Sequence, residues 1–534
     1  MVSRPDVKTK HKNREGFLVA DFPIQGPATL YFGSKGDKDM KRFTAIALAL
    51  AIVGFAVMAS AATEVKMVGD ARIWGNWTSD MNYTGWNSTG TKTAQSLTIY
   101  ERFRLRTDFV ANEGLKFRFG IRVNNKAWGD AAATTAAAGG GFLIDNPAVN
   151  IDVYECYLQF KWPNTEIQFT IGMQPLDLPI SADMLYGNPV LGVTWGPAAI
   201  VNAPFTDNFG AVAGFIRFAD GNPGFEPSTT VLADRLDGYL LALPITFDGF
   251  KAVPWGVVGV MGHDAAAVAK SIGTGASPRI NNQNVGNGML SSSAYLNPAV
   301  MLRQAEQVYY WVGTTLTVTA LDPFKFYGDI IYGADATSDK KYDKRQGLWF
   351  DVAAEYTGFD MLTPQATFWY GTGDTSASNG SQRMPTIVDN WGPSTSFLFN
   401  TSQALAAGYA AGLNPAGSWG VAVSLDKITF VQDLKSRITF TFANGTNSNN
   451  ALRYGNLLNG VGTYYQMGRD LSKDEYVYGV NFDNQYNIYE NLAAIVETGW
   501  AHGDFKSSIW THRFTNAAKN GDEWKVAFGL QYKF

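Results

Sequence analysis

Cysteine is almost absent from the 534 residues: Cys156 stands alone, so no internal disulfide can form and the fold does not depend on sulfur. Histidine is nearly as scarce, with four in all, and without a Cys/His cluster a structural zinc site is excluded. Charged residues make up only 17% of the chain. The mean hydropathy of -0.11 is too low for a bundle of membrane-spanning helices. There is no G-x-S-x-G, no P-loop and no metal-spaced cluster. Loop acids such as Asp220 and Asp374 are present, but not at the D-x-D-x-D-G spacing of a calcium loop.

What the chain does have is glycine (55) and aromatics: 34 Phe, 24 Tyr and 15 Trp, an all-β balance. The last eleven residues show how these are used. Trp524, Val526, Phe528, Leu530, Tyr532 and Phe534 alternate with Lys525, Ala527, Gly529, Gln531 and Lys533. A period of two with aromatics on one side belongs to a strand with one greasy and one wet face. At roughly ten residues such a strand is long enough to cross a bilayer at a tilt. A barrel of such strands hides from hydropathy plots, because only alternate residues meet lipid.

The N-terminus carries a second start. Met40 is followed by Lys41 and Arg42, an apolar run from Phe43 to Val57, and Ala59-Ser60-Ala61. Residues 40–61 therefore read as a secretory signal peptide cleaved near Ala61. Residues 1–39 show no periodicity and would strand that signal inside the chain. They read as an upstream extension from a mis-assigned start, and 62–534 as a single β-barrel domain.

From Glu64 the rhythm is strand, long polar loop, strand, tight turn. Leu97, Ile99, Phe103, Leu105 and Phe109 form the apolar side of one strand, with Arg102, Arg104 and Arg106 on the other. After the turn at Ala111–Gly114, Leu115, Phe117, Phe119, Ile121 and Val123 alternate with Lys116, Arg118 and Arg122. Counting onward, with weak segments at 197–205 and 250–262, gives an all-β transmembrane antiparallel β-barrel of about 16–18 strands, best counted as 18. Long polar stretches near 263–306, 373–418 and 444–475 read as external loops. Trp77, Tyr100, Trp162, Tyr310, Tyr356, Tyr476 and Trp500 fit interfacial girdles. In lipid every backbone N–H and C=O needs a partner, so the sheet must close. With so many strands the lumen is too wide for wall side chains alone to fill and should hold water. A string of soluble sandwiches fits less well, since no linkers separate the strands.

On the signal peptide, the hairpin rhythm, the terminal Leu530, Tyr532 and Phe534, and the segment Ile171-Gly172-Met173-Gln174-Pro175 before a loop, the chain resembles the trimeric porins of Gram-negative outer membranes. It is most similar to the homotrimeric porins of sulfate-reducing bacteria. The resemblance implies a homotrimer in outer-membrane lipid and lipopolysaccharide, delivered by the barrel-assembly machinery through the Leu530/Tyr532/Phe534 signal. It also implies that the loop at about 175–196 folds into the channel. The constriction would then have a basic wall of Arg102, Arg104, Arg106, Lys116, Arg118 and Arg122, facing Asp177, Asp183 and Tyr186 on the loop. The i, i+2 spacing stacks the basic residues along one wall, where a water-filled pore tolerates like charges. Opposed charges across a narrow passage select solutes by size and charge. The expectation is passive diffusion of small hydrophilic solutes and ions with a mild anion preference. No enzyme activity, cofactor, metal or nucleic-acid partner is expected.

Three other readings have a footing. Met184, Tyr186 and Trp195 suit either a sugar track or a pin between loop and wall, so a channel specific for sugars or organic anions is the nearest alternative. The pairs His263-Asp264 and His502-Asp504 could serve an outer-membrane enzyme, and the long loops a surface adhesin.

Overall fold

A computed structural model of the chain describes residues 63–79, 83, 96–129, 149–182, 187–191, 195–220, 235–262, 288–292, 306–336, 344–375, 380–387, 391–392, 405, 413–414, 416–511 and 521–534. The expected upstream extension and signal peptide lie outside these residues.

Among the described residues nineteen strand segments form one antiparallel sheet. They are β1 (Glu64–Ser79), β2 (Ser96–Asn112), β3 (Leu115–Ala127), β4 (Asp152–Lys161), β5 (Gln168–Pro175), β6 (Trp195–Pro204), β7 (Gly210–Asp220), β8 (Arg235–Ala242), β9 (Ile245–Phe247) and β10 (Phe250–Gly262). They continue as β11 (Glu306–Val318), β12 (Phe324–Asp335), β13 (Gln346–Tyr356), β14 (Thr363–Gly371), β15 (Ser418–Ile428), β16 (Leu434–Gly445), β17 (Tyr476–Tyr489), β18 (Leu492–Asp504) and β19 (Asp522–Lys533). Both β8 and β9 pair with β10, so they are one stave interrupted at Leu243-Pro244, where proline has no N–H to give the ladder. The barrel therefore has 18 staves. Every expected strand is found, including the two weak ones, now β6 and β10.

Closure runs through the chain's last residue. Strand β1 pairs with β2 on one side and β19 on the other, and Gly69 exchanges backbone hydrogen bonds with Phe534 at 2.8 and 3.1 Å. A side chain at position 69 would collide with the Phe534 ring, so glycine there lets the terminal ring lie flat across the seam. That ring stacks on Phe103 and Tyr532, with centroids 6.1 and 5.8 Å apart.

The outer wall carries the apolar half of the alternation. Phe103, Phe109, Phe117, Phe119, Leu530, Tyr532 and Phe534 all stand exposed on the barrel exterior. In water each exposed Phe would forgo about 1.5–3 kcal/mol of burial, and this band suits a hydrocarbon surround instead. Aromatic pairs mark both rims: Phe160–Phe169 and Phe324–Tyr356 near the short turns, Tyr310–Tyr332, Tyr478–Trp500 and Trp500–Trp524 near the long loops. Tyr100 departs from the expected girdle. It shares the parity of Arg102 and faces inward, stacked on Trp74 at 5.4 Å.

The long loops do more than cover the mouth. Parts of the 373–418 and 444–475 stretches turn back onto the inner wall of β10–β18 and make a core with it. Trp391 packs on Trp349 and Trp369 at 4.9 and 5.7 Å, and the Trp311 indole donates to the Pro385 carbonyl at 2.7 Å. Helix α1 (Asn449–Asn459) is capped by Ser448, whose hydroxyl accepts from the Ala451 N–H. Helix α2 (Ser507–Trp510) buries Ile509 and Trp510. The side of the lumen lined by these tryptophans is thus filled with protein, where the sequence alone led us to expect water.

Candidate pore constriction

The loop after β5 enters the barrel because its root is bent and pinned. Gly172, at φ 131°, adopts a conformation closed to other residues, and a Cβ there would strike the Cys156 carbonyl. Two residues on, the buried Gln174 amide donates to the carbonyls of Thr170 (3.0 Å) and Ala198 (2.9 Å). Asn188 then clamps the loop on itself: its amide donates to the Ile180 carbonyl at 2.6 Å, and its oxygen accepts from the Val190 and Leu191 N–H groups at 2.8 and 3.3 Å.

The far side of the loop is tied to the opposite wall. The Ala182 N–H donates to Asp329 on β12 at 3.1 Å, and Val190 accepts from the Ile387 N–H at 2.8 Å. Leu176, Ile180, Ala182, Val190 and Leu191 join the apolar core. The inward fold expected of this segment is present in its described residues, 175–182 and 187–191. Asp183, Met184 and Tyr186 lie outside them. Trp195 acts as a pin: its indole donates to Glu155 at 3.3 Å and meets Tyr154 edge-on.

The basic wall stands on the inner faces of β2 and β3, as the alternation requires, with Arg104 directly opposite Arg122. It is interleaved with carboxylates. Asp70 on β1 accepts from Arg102 at 3.0 Å and Arg104 at 2.6 Å, with Arg72 3.6 Å away. Arg118 is bidentate to Asp108 at 2.5 and 2.6 Å. It lies 3.8 Å from Glu155, while Arg122 is 4.0 Å from Asp152 and sits over the Tyr154 ring. The bidentate, partly buried Arg118–Asp108 pair fixes its guanidinium most rigidly, and the short contacts to Asp70 hold Arg102 and Arg104. Arg106 and Lys116 form no ion pair or hydrogen bond among the described residues, so two of the six basic side chains remain uncommitted.

Asp108 continues the i, i+2 series of Arg102, Arg104 and Arg106, so its place on the wall was legible in the spacing. Alternation along β1 also puts Asp70 on the polar face with Arg72, but its place opposite Arg104, like that of Glu155 opposite Gly120, comes only through strand register.

Between wall and loop lies a cavity of about 900 Å³. Tyr157, Gln159, Gln168, Thr170 and Asn202 bound it on the wall side, and Asp177, Leu178 and Ser181 on the loop side. Asp177 thus faces the wall across open space. A smaller cavity of about 320 Å³ lies within the loop itself, against Leu176, Asp177 and Trp195.

The remaining candidates are absorbed into structure. His502 Nδ1 lies 2.9 Å from Asp522 rather than against Asp504, whose partner is Lys506. His263 is outside the described residues. Asp374 is buried and accepts from Ser381, the Gln382 N–H and the Tyr465 hydroxyl, so its oxygens are already used. No group of three or more metal-ligating side chains exists among the described residues.

A buried polar network holds the inward loops. Arg383 pairs with Asp470 at 2.6 Å and donates to the Ala416 carbonyl at 3.1 Å. Burial opposes its charge, but Asp470 and Asp374 outweigh that and hold the guanidinium above its ordinary pKa. Burial pushes the Tyr464 hydroxyl up to about 12. The same cause pushes the Glu475 carboxyl up, against hydrogen bonds from the Lys506 and Ser472 N–H groups and the Trp510 indole.

No family model matches the sequence, and no curated protein matches it. Solved structures similar to the chain include OpdQ of Pseudomonas aeruginosa, at 10% identity and a TM-score of 0.45, covering 88% of this chain and 98% of that one. The outer membrane protein OprD from the same organism matches at 11% and 0.45, covering 89% and 95%. A loop L8 deletion mutant of OmpT, an outer membrane protein of Vibrio cholerae, matches at 10% and 0.36, covering 89% and 100%. Superposition this loose decides nothing about function.

Proposed function

We propose that the protein is a channel of a Gram-negative outer membrane, selective for small organic anions and passive in operation. One observation carries this: among the described residues Arg106 and Lys116 stand uncommitted in a wall where Arg102, Arg104 and Arg118 are held by carboxylates. A passing anion meets held guanidiniums that shape the path and two cations whose charge is not already paired. A charged, low-dielectric wall of this kind concentrates ions of opposite sign.

A specific channel fits better than the general diffusion pore first expected. The pinned loop and the tryptophan-lined filling leave a passage along one side of the barrel rather than a wide lumen, and a narrow path gives fixed groups a purchase on the solute. The closed sheet and its apolar exterior support a membrane location. Assembly as a homotrimer, insertion through the barrel-assembly machinery at the Phe534 end and cleavage near Ala61 belong to the same proposal, the trimer resting on the resemblance to porins of sulfate-reducing bacteria.

The test is the reversal potential of the protein in a planar bilayer under a KCl gradient. An anion-selective potential that moves toward cations in Arg106→Gln/Lys116→Gln supports the reading. A cation-selective wild type overturns it.

A further inference from the structure

The lower part of the passage has a chemistry the basic wall does not explain. Across β3–β6 the register places Lys116 opposite Gln159, Gln159 opposite Thr170, and Gln168 opposite Asn202. Directly opposed residues of neighbouring strands point to the same face; Gln159, Gln168, Thr170 and Asn202 line the cavity of about 900 Å³, as does Lys251, and Lys116 adjoins it through its register partner Gln159. The side chains of Gln159, Gln168, Thr170 and Asn202 form no hydrogen bond with the protein among the described residues. Gln174 shows the contrast: it is buried, and its amide nitrogen donates to backbone carbonyls.

Three amides and a hydroxyl without protein partners, gathered beside an uncommitted ammonium, form a surface of alternating donors and acceptors. Tyr157 joins this patch to the basic wall: it lines the same cavity and lies under the Arg118 guanidinium, 5.9 Å from ring centroid to charge. An anion coming down from Arg106 therefore reaches Lys116 and the amides together.

Resting on the anion-channel reading, we infer that the cavity between wall and loop is a binding site for a hydroxylated carboxylate, a sugar acid by chemical class. Its carboxylate lies toward Lys116 and its hydroxyls on Gln159, Gln168, Thr170 and Asn202. A hydroxyl both donates and accepts, which matches an amide edge. An alkyl chain in the same place strips water from the amides and returns nothing. Asp177, facing the patch from the loop, is acceptor-only when ionised and suits hydroxyl donors at the far end of the solute while repelling a second carboxylate.

The test compares three six-carbon solutes, gluconate, hexanoate and glucose, in liposome-swelling assays with the full-length protein. Gluconate should enter at least about five-fold faster than hexanoate in the wild type, and that ratio should fall below about two in Gln159→Leu/Asn202→Leu with KCl conductance retained. If that variant does not assemble, Gln168→Leu, on the neighbouring strand, should shift the ratio the same way. Equal entry of gluconate and hexanoate, both faster than glucose, overturns the sugar-acid site and leaves the anion reading standing. Glucose entering as fast as both anions overturns the anion reading itself.

Discussion

At the scale of single residues, the wall separates side chains that build the pore from those left to meet a solute. Arg102 and Arg104 share Asp70, so removing one charge leaves a carboxylate under-paired. Arg104→Gln should destabilise the barrel by about 1–2 kcal/mol, a figure discounted for partial exposure, read from the urea midpoint of unfolding in detergent. Arg106→Gln should change stability by less than about 0.5 kcal/mol while shifting the reversal potential further toward cations than Arg104→Gln does. At the seam, Phe534→Ala removes the ring that stacks on Phe103 and covers Gly69. Slower folding into vesicles, followed by heat-modifiable gel mobility, is the expected outcome, with final conductance unchanged.

At the scale of elements, strands were legible and loops were not, for a physical reason. A strand half in lipid and half in water writes its two solvents into alternate residues, which is why Phe117–Val123 and Arg118–Arg122 could be sorted to opposite faces from sequence. Tyr100 was misplaced because an aromatic near a strand end suits either surface and was read by residue type, although its parity with Arg102 already points inward, where it stacks on Trp74. The inward loops were taken as external because polar composition does not say which polar groups are paired, and Arg383 and Asp470 are wholly buried together. The loop clamp is testable: Asn188→Ala loses three buried hydrogen bonds, about 2–4 kcal/mol of local stability, and should give noisier, larger single-channel currents. A second test concerns pH. Burial raises the Glu475 carboxyl above its unfolded value, so the folded state holds the proton more tightly and stability falls as pH rises from the unfolded pKa through the raised one. Hydrogen-exchange protection of residues 505–511 should therefore weaken over that window, and in Glu475→Gln it should be flat.

At the scale of the whole molecule, the closed sheet answers to its solvent and the passage to its filling. An 18-stave barrel is too wide for wall side chains to close, and here loop-borne residues such as Trp391, Met384 and Leu452 occupy one side against the inner wall. The solute is left with the charged side, β1–β4, and the amide patch on β4–β6. The pairing of wall charges is what a single sequence could not reveal, because Asp70 and Arg104 meet only through register across the sheet. The most direct measurement is therefore the reversal potential of the wild-type channel beside Arg106→Gln/Lys116→Gln under a KCl gradient. The account requires anion selectivity in the wild type that the double variant loses at equal stability. Identical potentials for the two proteins, or a wild type already selective for cations, would contradict it.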